Sequence, residues 1–219
     1  MTELKRHNIL VLGGTGQVGG DLIEAALASP FVDRVIAPTR RPLVEHDRLL
    51  NPLVDFADLP DQESWWQADA VVCALGTTMK QAGTRTAFRQ VDHDFVLAAA
   101  KAARKAGTAT FVLNSSVGAD TDSRSFYLKV KGQTEQSLGT VGFESLTFVR
   151  PSLLDSGKRK DFRPGEAVGL WLARRFGAAV PARYRPVTTA AVAECMLDAA
   201  LAALPGVHII ESQDIPRLD

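Results

Sequence analysis

Several features that mark common classes of protein are scarce in this sequence of 219 residues. It has two cysteines, Cys73 and Cys195, which lie far apart in apolar surroundings and form no C-x-x-C pair. This usage argues against a disulfide framework and indicates buried thiols in a reducing compartment. The four histidines form no H-E-x-x-H pattern and have no cysteine partners, so we expect no metal site.

Net charge and long apolar runs are also missing. Lysine plus arginine and aspartate plus glutamate number 25 each, so no overall field draws the chain to nucleic acid or to lipid. No stretch approaches the roughly 20 apolar residues that a bilayer requires. Residues 1–8 are polar and contain no apolar stretch of the signal-peptide type. We therefore expect a cytoplasmic protein that binds neither nucleic acid nor a membrane.

What the sequence does contain is a regular alternation of short apolar runs and helical segments. The apolar runs predict strands at residues 9–12, 34–37, 53–56, 70–75, 110–113, 146–149 and 207–210. Helices are predicted at residues 17–28, 62–67, 86–105, 126–138, 167–176 and 190–204. This alternation predicts an α/β fold of the Rossmann type, a doubly wound parallel sheet with helices on both faces.

The length suits one domain with a sizeable core. We expect residues 1–219 to form a single dinucleotide-binding domain, because no linker, repeat or low-complexity tract divides the sequence. Residues 151–219 are expected to contribute a small C-terminal cap on the substrate side. Within this cap, residues 156–163 are basic and precede Pro164 and Gly165, which predicts a surface loop. The loop contacts either an anionic substrate or, in the simpler interpretation, only solvent.

A glycine-rich turn follows the first predicted strand. The segment Gly13–Gly19 reads G-G-T-G-Q-V-G and lies between the strand at 9–12 and the helix that begins near Gln17. Such a turn exposes backbone N–H groups at the positive end of a helix, which suits a pyrophosphate. A purely structural turn is the alternative, but a strand before the glycines and a helix after them favour a dinucleotide site.

Two arginines follow the second predicted strand. Arg40 and Arg41 stand roughly twenty residues past the last glycine of the turn, where a ribose with a free 2′-hydroxyl usually meets an acid. Asp33 precedes the strand and Glu45 lies beyond Pro42, so no acid stands at this place. A 2′-phosphate is bound by arginine instead. The sequence therefore favours NADP(H) over NAD(H), with two solvated surface arginines as the alternative.

A tyrosine and a lysine lie one helical turn apart. Tyr127 and Lys131 share a face of the helix predicted at 126–138. A free phenol titrates near pH ~10 and is a poor proton donor at neutral pH, whereas an ammonium beside it favours the phenolate. The pair would then suit proton transfer to a carbonyl oxygen while hydride goes to the carbon. Lysine occurs at this spacing by chance, so the hypothesis depends on the position of the pair after the fifth strand.

Polar side chains close that fifth strand. Asn114, Ser115 and Ser116 stand at its carboxyl end, where ligands bind in open α/β sheets. A hydroxyl there can hydrogen-bond a substrate carbonyl and hold it near the phenol. We favour Ser116 for this role, with Ser115 either facing the cofactor or lying one position off. A pair of ordinary turn serines is the alternative.

Other chemistries fit the sequence less well. Ser116 lacks the glycine two places before it that a hydrolase nucleophile requires, so an acyl-transfer serine is not indicated. Asp92 and Asp94 are interpreted as acids near the start of a helix, where they complement the helix dipole.

Seven stretches resemble a known family, in the order in which that family has them. They are Gly13–Gly19, Val54–Phe56, Cys73–Thr78, Val91–Leu97, Ser115–Asp120, Tyr127–Gly132 and Val149–Pro151. The set resembles the short-chain dehydrogenase/reductase superfamily, in its atypical branch that is Tat-interacting-protein-like, also described as NAD(P)H-binding and NmrA-like. The resemblance implies a Rossmann fold and a bound NADP(H).

The resemblance also implies a role for each matching position. The catalytic residues would be Ser116 on the substrate, Tyr127 as the acid/base and Lys131 on the nicotinamide ribose. The cofactor-binding residues would be Gly13, Thr15, Gly16, Gln17 and Val18 at the pyrophosphate, Arg40 and Arg41 at the 2′-phosphate, Asp55 and Phe56 at the adenine, Ala74, Leu75 and Gly76 at the adenosine ribose, Ser115, Tyr127 and Lys131 further along the cofactor, and Pro151 and Ser152 at the nicotinamide.

The function predicted from these residues is an NADPH-dependent oxidoreductase that transfers hydride to a small carbonyl substrate, with Tyr127 as proton donor. One alternative is a non-catalytic NADP(H)-sensing regulator that docks a protein partner, since the resembled branch contains regulators. Another is a flavin or quinone reductase, for which the phenol is dispensable. A homodimer also stays open, because Phe88, Val91 and Phe95 could form either an interface or core.

Overall fold

The computed structural model describes residues 6–155 and 181–216 of the chain. Within these residues, seven strands form one sheet and two further strands form a small second sheet. The strands are β1 (His7–Leu12), β2 (Val32–Ile36), β3 (Leu49–Leu50), β4 (Ala70–Cys73), β5 (Thr110–Asn114), β6 (Ser145–Arg150), β7 (Leu154–Asp155), β8 (Val187–Thr188) and β9 (Gly206–Glu211). The helices are α1 (Gln17–Ala28), α2 (Met79–Ala82), α3 (Arg85–Arg89), α4 (Phe95–Lys105), α5 (Phe126–Gly139) and α6 (Thr189–Ala202).

The main sheet is parallel throughout and has the strand order β3-β2-β1-β4-β5-β6-β9. The chain runs outwards from β1 to β3 and then returns to the other side of β1 to form β4. The strand order therefore reverses between β1 and β4, at the kind of switch point where doubly wound sheets bind ligands. The Rossmann-type fold predicted from the sequence is confirmed. β7 pairs with β8, outside the main sheet.

Two hydrophobic layers enclose the sheet, one on each face. On one face Ile9 of β1 packs in a cluster with Met196 of α6. On the other face Leu10 packs in a cluster with Trp66 and with Val96 of α4. Successive residues of a strand point to opposite faces, so strands covered on both sides are apolar throughout. Fully burying a side chain of this size contributes about 1.5–3 kcal/mol, and these two layers hold the sheet rigid.

The third strand does not lie where the sequence predicts it, so the prediction at 53–56 is wrong. β3, at Leu49–Leu50, pairs with β2, and an isolated bridge between Leu53 and Thr39 follows. Pro52 has no N–H to donate to a neighbouring strand. The side-chain amide of Asn51 instead donates to the Ala37 carbonyl at 2.5 Å and takes the place of the missing N–H of residue 52 in the ladder.

The long helix predicted at 86–105 is interrupted. A π-helical turn at Gln90–Asp94 separates α3 from α4. The turn buries Asp92 and His93, two polar residues that a continuous surface helix would expose. Such turns occur frequently at functional sites. The short helix predicted at 62–67 is a single 3-10 turn at Ser64–Trp66.

The C-terminal part extends the same sheet. α6 packs against α1, and β9 pairs with β6, which confirms the strand predicted at 207–210. That residues 151–219 cap the substrate side stays a prediction. The basic loop predicted at 156–163 and the helix predicted at 167–176 lie outside the described residues. No helix in the described part of the chain has the length and apolar character to cross a bilayer.

Candidate functional site

The candidate residues meet at one edge of the sheet. The glycine turn follows β1, the loop 74–78 follows β4, Ser115 and Ser116 follow β5, and Pro151 follows β6. Because these strands are parallel and adjacent, their carboxyl ends lie side by side. The edge contains the switch point between β1 and β4, which places a ligand crevice there.

The glycine turn packs closely against its neighbours. Gly13 has φ +89°, a left-handed conformation that residues with a side chain rarely adopt. A Cβ atom on Gly13 would lie 2.7 Å from the carbonyl of Ala74, and one on Gly19 would collide with the carbonyl of Gly13. The Gly16 N–H donates to the Gly13 carbonyl at 2.9 Å and closes the turn. The glycines therefore let the turn sit between the ends of β1 and β4 directly above α1.

Within the described residues, no side chain caps the N-terminus of α1. Its N-cap residue is Gly16, no side chain accepts a hydrogen bond from its first turn, and that turn contains no acid. The hydroxyls of Thr78, Thr84 and Thr188 cap α2, α3 and α6, whereas α5, like α1, has no side-chain cap. Thr15, Gly16 and Gln17 are exposed, whereas Val18 is buried and anchors the helix. The uncapped N–H groups and the positive end of the helix suit a pyrophosphate.

The two arginines lie on the exposed turn after β2. Both Arg40 and Arg41 are solvent-exposed, and within the described residues neither guanidinium makes an ion pair. The Thr39 hydroxyl donates to the Arg41 carbonyl at 2.6 Å and fixes the backbone of the turn. Leu43, two residues on, lies beside Gly14 of the glycine turn. A surface cleft of about 700 Å³, lined by residues 42–53, adjoins the arginines.

The residues predicted to flank the adenine have different surroundings. Phe56 is buried, and its ring centroid lies 6.2 Å from that of Phe95. Asp55 is exposed and accepts a hydrogen bond from the Ala57 N–H at 2.9 Å. Phe56 thus belongs to the hydrophobic core, and Asp55 lies on the surface beside it. Their roles towards a cofactor stay predictions.

The loop after β4 is tied to the π-helical turn. Ala74 and Leu75 are half-buried and Gly76 is exposed, as a loop facing a crevice would be. The Thr77 N–H donates to Oδ2 of Asp92 at 2.7 Å. A side chain from the interrupted helix therefore fixes the backbone of this loop.

Tyr127 and Lys131 occupy the first two turns of α5, as predicted. Tyr127 is half-buried, and its ring centroid lies 5.6 Å from that of Phe88. Lys131 is only 5% exposed, and its Nζ lies 2.9 Å from Oδ1 of Asp92. Burial opposes the charged ammonium, but the Asp92 carboxylate and Tyr127 outweigh it and raise the pKa of Lys131 above its ordinary value. The lysine is therefore a buried ammonium beside the phenol.

Asp92 is the residue of this site that the sequence reasoning missed. The sequence suggests only an acid near a helix start that complements the helix dipole, yet Asp92 is 1% exposed. Its carboxylate accepts a hydrogen bond from the Thr77 N–H in the loop after β4 and forms an ion pair with Lys131 of α5. The local sequence, with Val91 before Asp92 and His93 after it, does not identify the partner of the carboxylate.

The two serines after β5 face different partners. Ser115 is buried, and its hydroxyl donates to the carboxylate of Glu135 on α5. Ser116 is half-buried, and its hydroxyl makes a long 3.4 Å contact with the Val117 carbonyl. Within the described residues no hydrogen bond joins Ser116 to Tyr127. Ser116 is thus the serine whose hydroxyl is available at the crevice, and Ser115 is held by Glu135.

A charged network closes the far side of the site. Arg150, at the end of β6, lies 2.5 Å from Oε2 of Glu135 and 3.1 Å from Oε1 of Glu211, at the end of β9. The hydrogen bonds that Arg150 donates to the Glu135 carboxylate raise the pKa of Arg150 above its ordinary value, against an opposing contribution from burial. The network joins α5, β6 and β9, and Glu135 carries it on to Ser115 of β5.

The residues predicted beside the nicotinamide are held by the C-terminal part of the chain. Pro151 is buried, and its carbonyl accepts from the Val117 N–H at 3.0 Å. The Ser152 N–H donates to the Ser212 hydroxyl at 3.1 Å, and the Ser152 hydroxyl donates to the Arg185 carbonyl. Both positions border the crevice edge, and their contact with a cofactor stays a prediction.

Known proteins resemble this chain over most of its length. A family model described as NAD(P)H-binding matches residues 13–202. Protein HTATIP2 of Rattus norvegicus is 34% identical over 184 residues, which cover 82% of this chain and 74% of that protein. Protein fmp52, mitochondrial, of Emericella nidulans is 34% identical over 178 residues, which cover 78% of this chain and 76% of that protein. The resemblance inferred from the seven sequence stretches is confirmed.

A solved structure supports the fold. MoeE5 in complex with UDP-glucose and NAD aligns with a TM-score of 0.71 and 16% sequence identity, covering 92% of this chain and 74% of that one. At this identity the likeness shows the fold alone.

The expectation of a cytoplasmic protein is wrong. Fungal relatives are named mitochondrial, among them those of Emericella nidulans and Candida albicans. A balanced net charge bears on the solubility of a folded protein and does not determine its cellular compartment. Mitochondrial targeting segments are amphipathic and arginine-rich rather than apolar, so the lack of an apolar stretch could not decide the compartment.

Proposed function

The chain belongs to the NAD(P)H-binding family, and we propose that within this family it is an NADPH-dependent oxidoreductase that reduces a small carbonyl compound. The observation that carries the proposal is the buried ammonium of Lys131, one helical turn from Tyr127 at the carboxyl edge of the sheet. A buried charge costs free energy unless it is paired. A protein that only bound the cofactor phosphates would not require such a charge beside a phenol.

Tyr127 is the proposed proton donor to the carbonyl oxygen of the substrate. When bound, NADPH supplies the hydride that the carbonyl carbon receives. The Lys131 ammonium stabilises the negative charge that the phenol oxygen acquires as it gives up its proton. The Ser116 hydroxyl donates a hydrogen bond to the same carbonyl oxygen and holds it near the phenol. Proton transfer at a positioned side chain of this kind contributes about 10²–10⁴-fold in rate.

The other end of the crevice supports a phosphorylated coenzyme. The uncapped N-terminus of α1 offers backbone N–H groups to the pyrophosphate. Arg40 and Arg41 are exposed and within the described residues unpaired, so a 2′-phosphate would meet two guanidinium groups that no carboxylate neutralises. We therefore propose NADP(H) rather than NAD(H), within a family whose description covers both.

The substitution Tyr127→Phe tests the catalytic proposal. It removes the hydroxyl and keeps the ring that packs on Phe88, so we expect turnover of a carbonyl substrate to fall about 10³-fold. NADPH affinity, measured by calorimetry, should stay within about twofold. The chain has one other tyrosine, Tyr184, which is exposed, and Tyr184→Phe serves as the matched control.

The outcomes separate the candidate functions. Undiminished carbonyl reduction by the Tyr127→Phe variant would refute the proton-donor role. Quinone turnover that is independent of the phenol would indicate a quinone reductase. Tight NADPH binding without turnover of any carbonyl compound or quinone by the parent protein would indicate a sensor.

A further inference from the structure

Asp92 lies where the cofactor loop, the π-helical turn and α5 meet. Its carboxylate is buried at 1% side-chain exposure. Oδ2 accepts from the Thr77 N–H of the loop after β4 at 2.7 Å, and Oδ1 lies 2.9 Å from Nζ of Lys131. A Cβ atom on Gly76 would lie 3.1 Å from Oδ1, so the backbone of this loop rests directly on the ion pair. One carboxylate thus connects the loop to the lysine.

The other ionisable groups around Lys131 are few. From β4, the thiol of Cys73 faces the pair, and burial raises the pKa of this thiol to about 12, so the thiol is neutral at working pH. From α5, Tyr127 faces the ammonium. His93, next to Asp92 on the π-helical turn, contacts Asp94 at 2.7 Å and Ser137 at 3.1 Å. Asp92 is therefore the counter-charge of the lysine.

We infer that Asp92 is a positioning residue for the reaction proposed above. Its carboxylate holds the Lys131 ammonium against the loop that follows β4 and keeps it charged, and so sets the upper pH limit of reduction. The inference rests on the proposed function, because that limit is defined only if Tyr127 and Lys131 take part in a reaction.

The direction of the effect follows from electrostatics. Reduction requires a protonated phenol and a charged ammonium, so the active form carries both protons. A negative carboxylate 2.9 Å from Nζ disfavours the loss of either proton. If the carboxylate becomes a neutral amide, the first proton leaves the Lys131–Tyr127 pair at a lower pH, whichever residue loses it. The high-pH limb of the rate profile then moves towards neutrality.

The direct test is the pH profile of kcat/KM for carbonyl reduction by the Asp92→Asn variant. Asparagine keeps an oxygen for the Thr77 N–H and loses the charge. We expect the high-pH limb to move down by about one pH unit or more, an effect that a loss of packing alone would not produce. The control is Asp94→Asn, which removes an equal charge at a half-exposed position of the same turn. The high-pH limb of the Asp94→Asn profile should coincide with that of the parent protein.

A variant that keeps the charge gives a second readout. Asp92→Glu carries a carboxylate at a slightly displaced position, so kcat should fall while the high-pH limb stays with the parent. A limb that moves equally in Asp92→Glu and Asp92→Asn overturns the inference, as does an unshifted limb in an active Asp92→Asn protein.

The ion pair can also be tested without catalysis, by thermal unfolding. Asp92→Asn leaves an uncompensated buried ammonium, so its midpoint should fall. Adding Lys131→Met removes that ammonium, and the double variant should unfold at a higher temperature than Asp92→Asn alone. Equal midpoints for the single and the double variant overturn the pairing. A parent protein without any carbonyl reduction overturns the proposed function instead, while the unfolding result on the pair is unaffected.

Discussion

The two ends of the site differ in how their charged groups are paired. At the end beside the glycine turn, Arg40 and Arg41 are exposed and within the described residues make no ion pair, and α1 begins without a cap. At the end beside α5, the buried Lys131 lies 2.9 Å from Asp92, and the half-buried Arg150 bridges two glutamates. One end leaves its positive groups to a ligand, and the other satisfies them within the protein.

The difference indicates separate tasks. Exposed cations and free N–H groups cost little in water and gain binding energy when a phosphate arrives. Buried ion pairs contribute little net stability, but removing one partner is costly, so they hold groups in a fixed arrangement. We therefore expect substitutions at the open end to change affinity far more than stability, and those at the Arg150 network to change stability far more than affinity.

The largest effect is expected at the open end. Changing both Arg40 and Arg41 to Ala removes two charge-assisted contacts and should weaken NADPH by about 4 kcal/mol, nearly a thousandfold in Kd. NADH affinity and the free energy of unfolding should barely change, because neither guanidinium pairs with a described residue. Calorimetry with both coenzymes measures this, and Arg34→Ala, at an exposed position of β2, is the control. Equal affinity of the parent for NADPH and NADH would end the argument for a 2′-phosphate.

A smaller effect, on stability instead of on cofactor affinity, is expected at Arg150. The Arg150→Met variant leaves the carboxylate of Glu135 buried and unpaired, so the free energy of unfolding should fall by about 3 kcal/mol in urea titrations. Adding Glu135→Gln should restore part of the loss. The control is Lys105→Met, which breaks an ion pair whose partners are both more than half exposed and should change the free energy of unfolding much less. A large loss of NADPH affinity at unchanged stability would contradict the division between the ends.

The smallest effect concerns the pH dependence of stability at the core between the two ends. Burial raises the pKa of the Cys73 thiol to about 12, whereas an unfolded thiol titrates near ~8.5. The folded protein therefore keeps a proton that the unfolded chain loses, and stability falls as pH rises above this lower value. Between pH 8 and pH 10 the thiol should account for about 2 kcal/mol of that fall.

The Cys73→Ala variant isolates this contribution. Its free energy of unfolding should decline less steeply with pH than that of the parent, even though the smaller side chain lowers stability at every pH. Val72→Ala, also on β4 and fully buried, removes volume without removing a titrating group. Parallel pH curves for the parent and Cys73→Ala would show that the thiol is not protonated as the burial requires.

Much of the fold could be predicted because it follows from local patterns. An apolar run and the glycines after it are sufficient to predict β1 and the turn that follows it. The four-residue spacing of Tyr127 and Lys131 is sufficient to place them on the same face of α5. The third strand could not be placed, because at Pro52 the side chain of Asn51, and not a backbone N–H, donates to the Ala37 carbonyl. The spacing of apolar residues along the sequence does not predict a side-chain hydrogen bond of this kind between two strands.

The parts of the site that the sequence did not predict are long-range contacts. Asp92 pairs with a lysine on a different helix and with a loop after another strand, so no short window of sequence contains the contact. The π-helical turn that buries it has no local signature either. Ser115 was predicted to face the cofactor, but its bond to Glu135 depends on the packing of α5 on the sheet. The cellular compartment is not a property of the fold at all.

The central claim is that backbone N–H groups at the start of α1 bind the coenzyme pyrophosphate. The most direct measurement is a calorimetric titration of NADPH into the parent and into Gln17→Glu, which adds one negative charge at the exposed first residue of α1. We predict saturable binding by the parent and at least about tenfold weaker binding by Gln17→Glu, with slightly greater thermal stability because an acid complements the helix dipole. Equal affinity of the two proteins, or no heat with any pyridine coenzyme, would contradict the account.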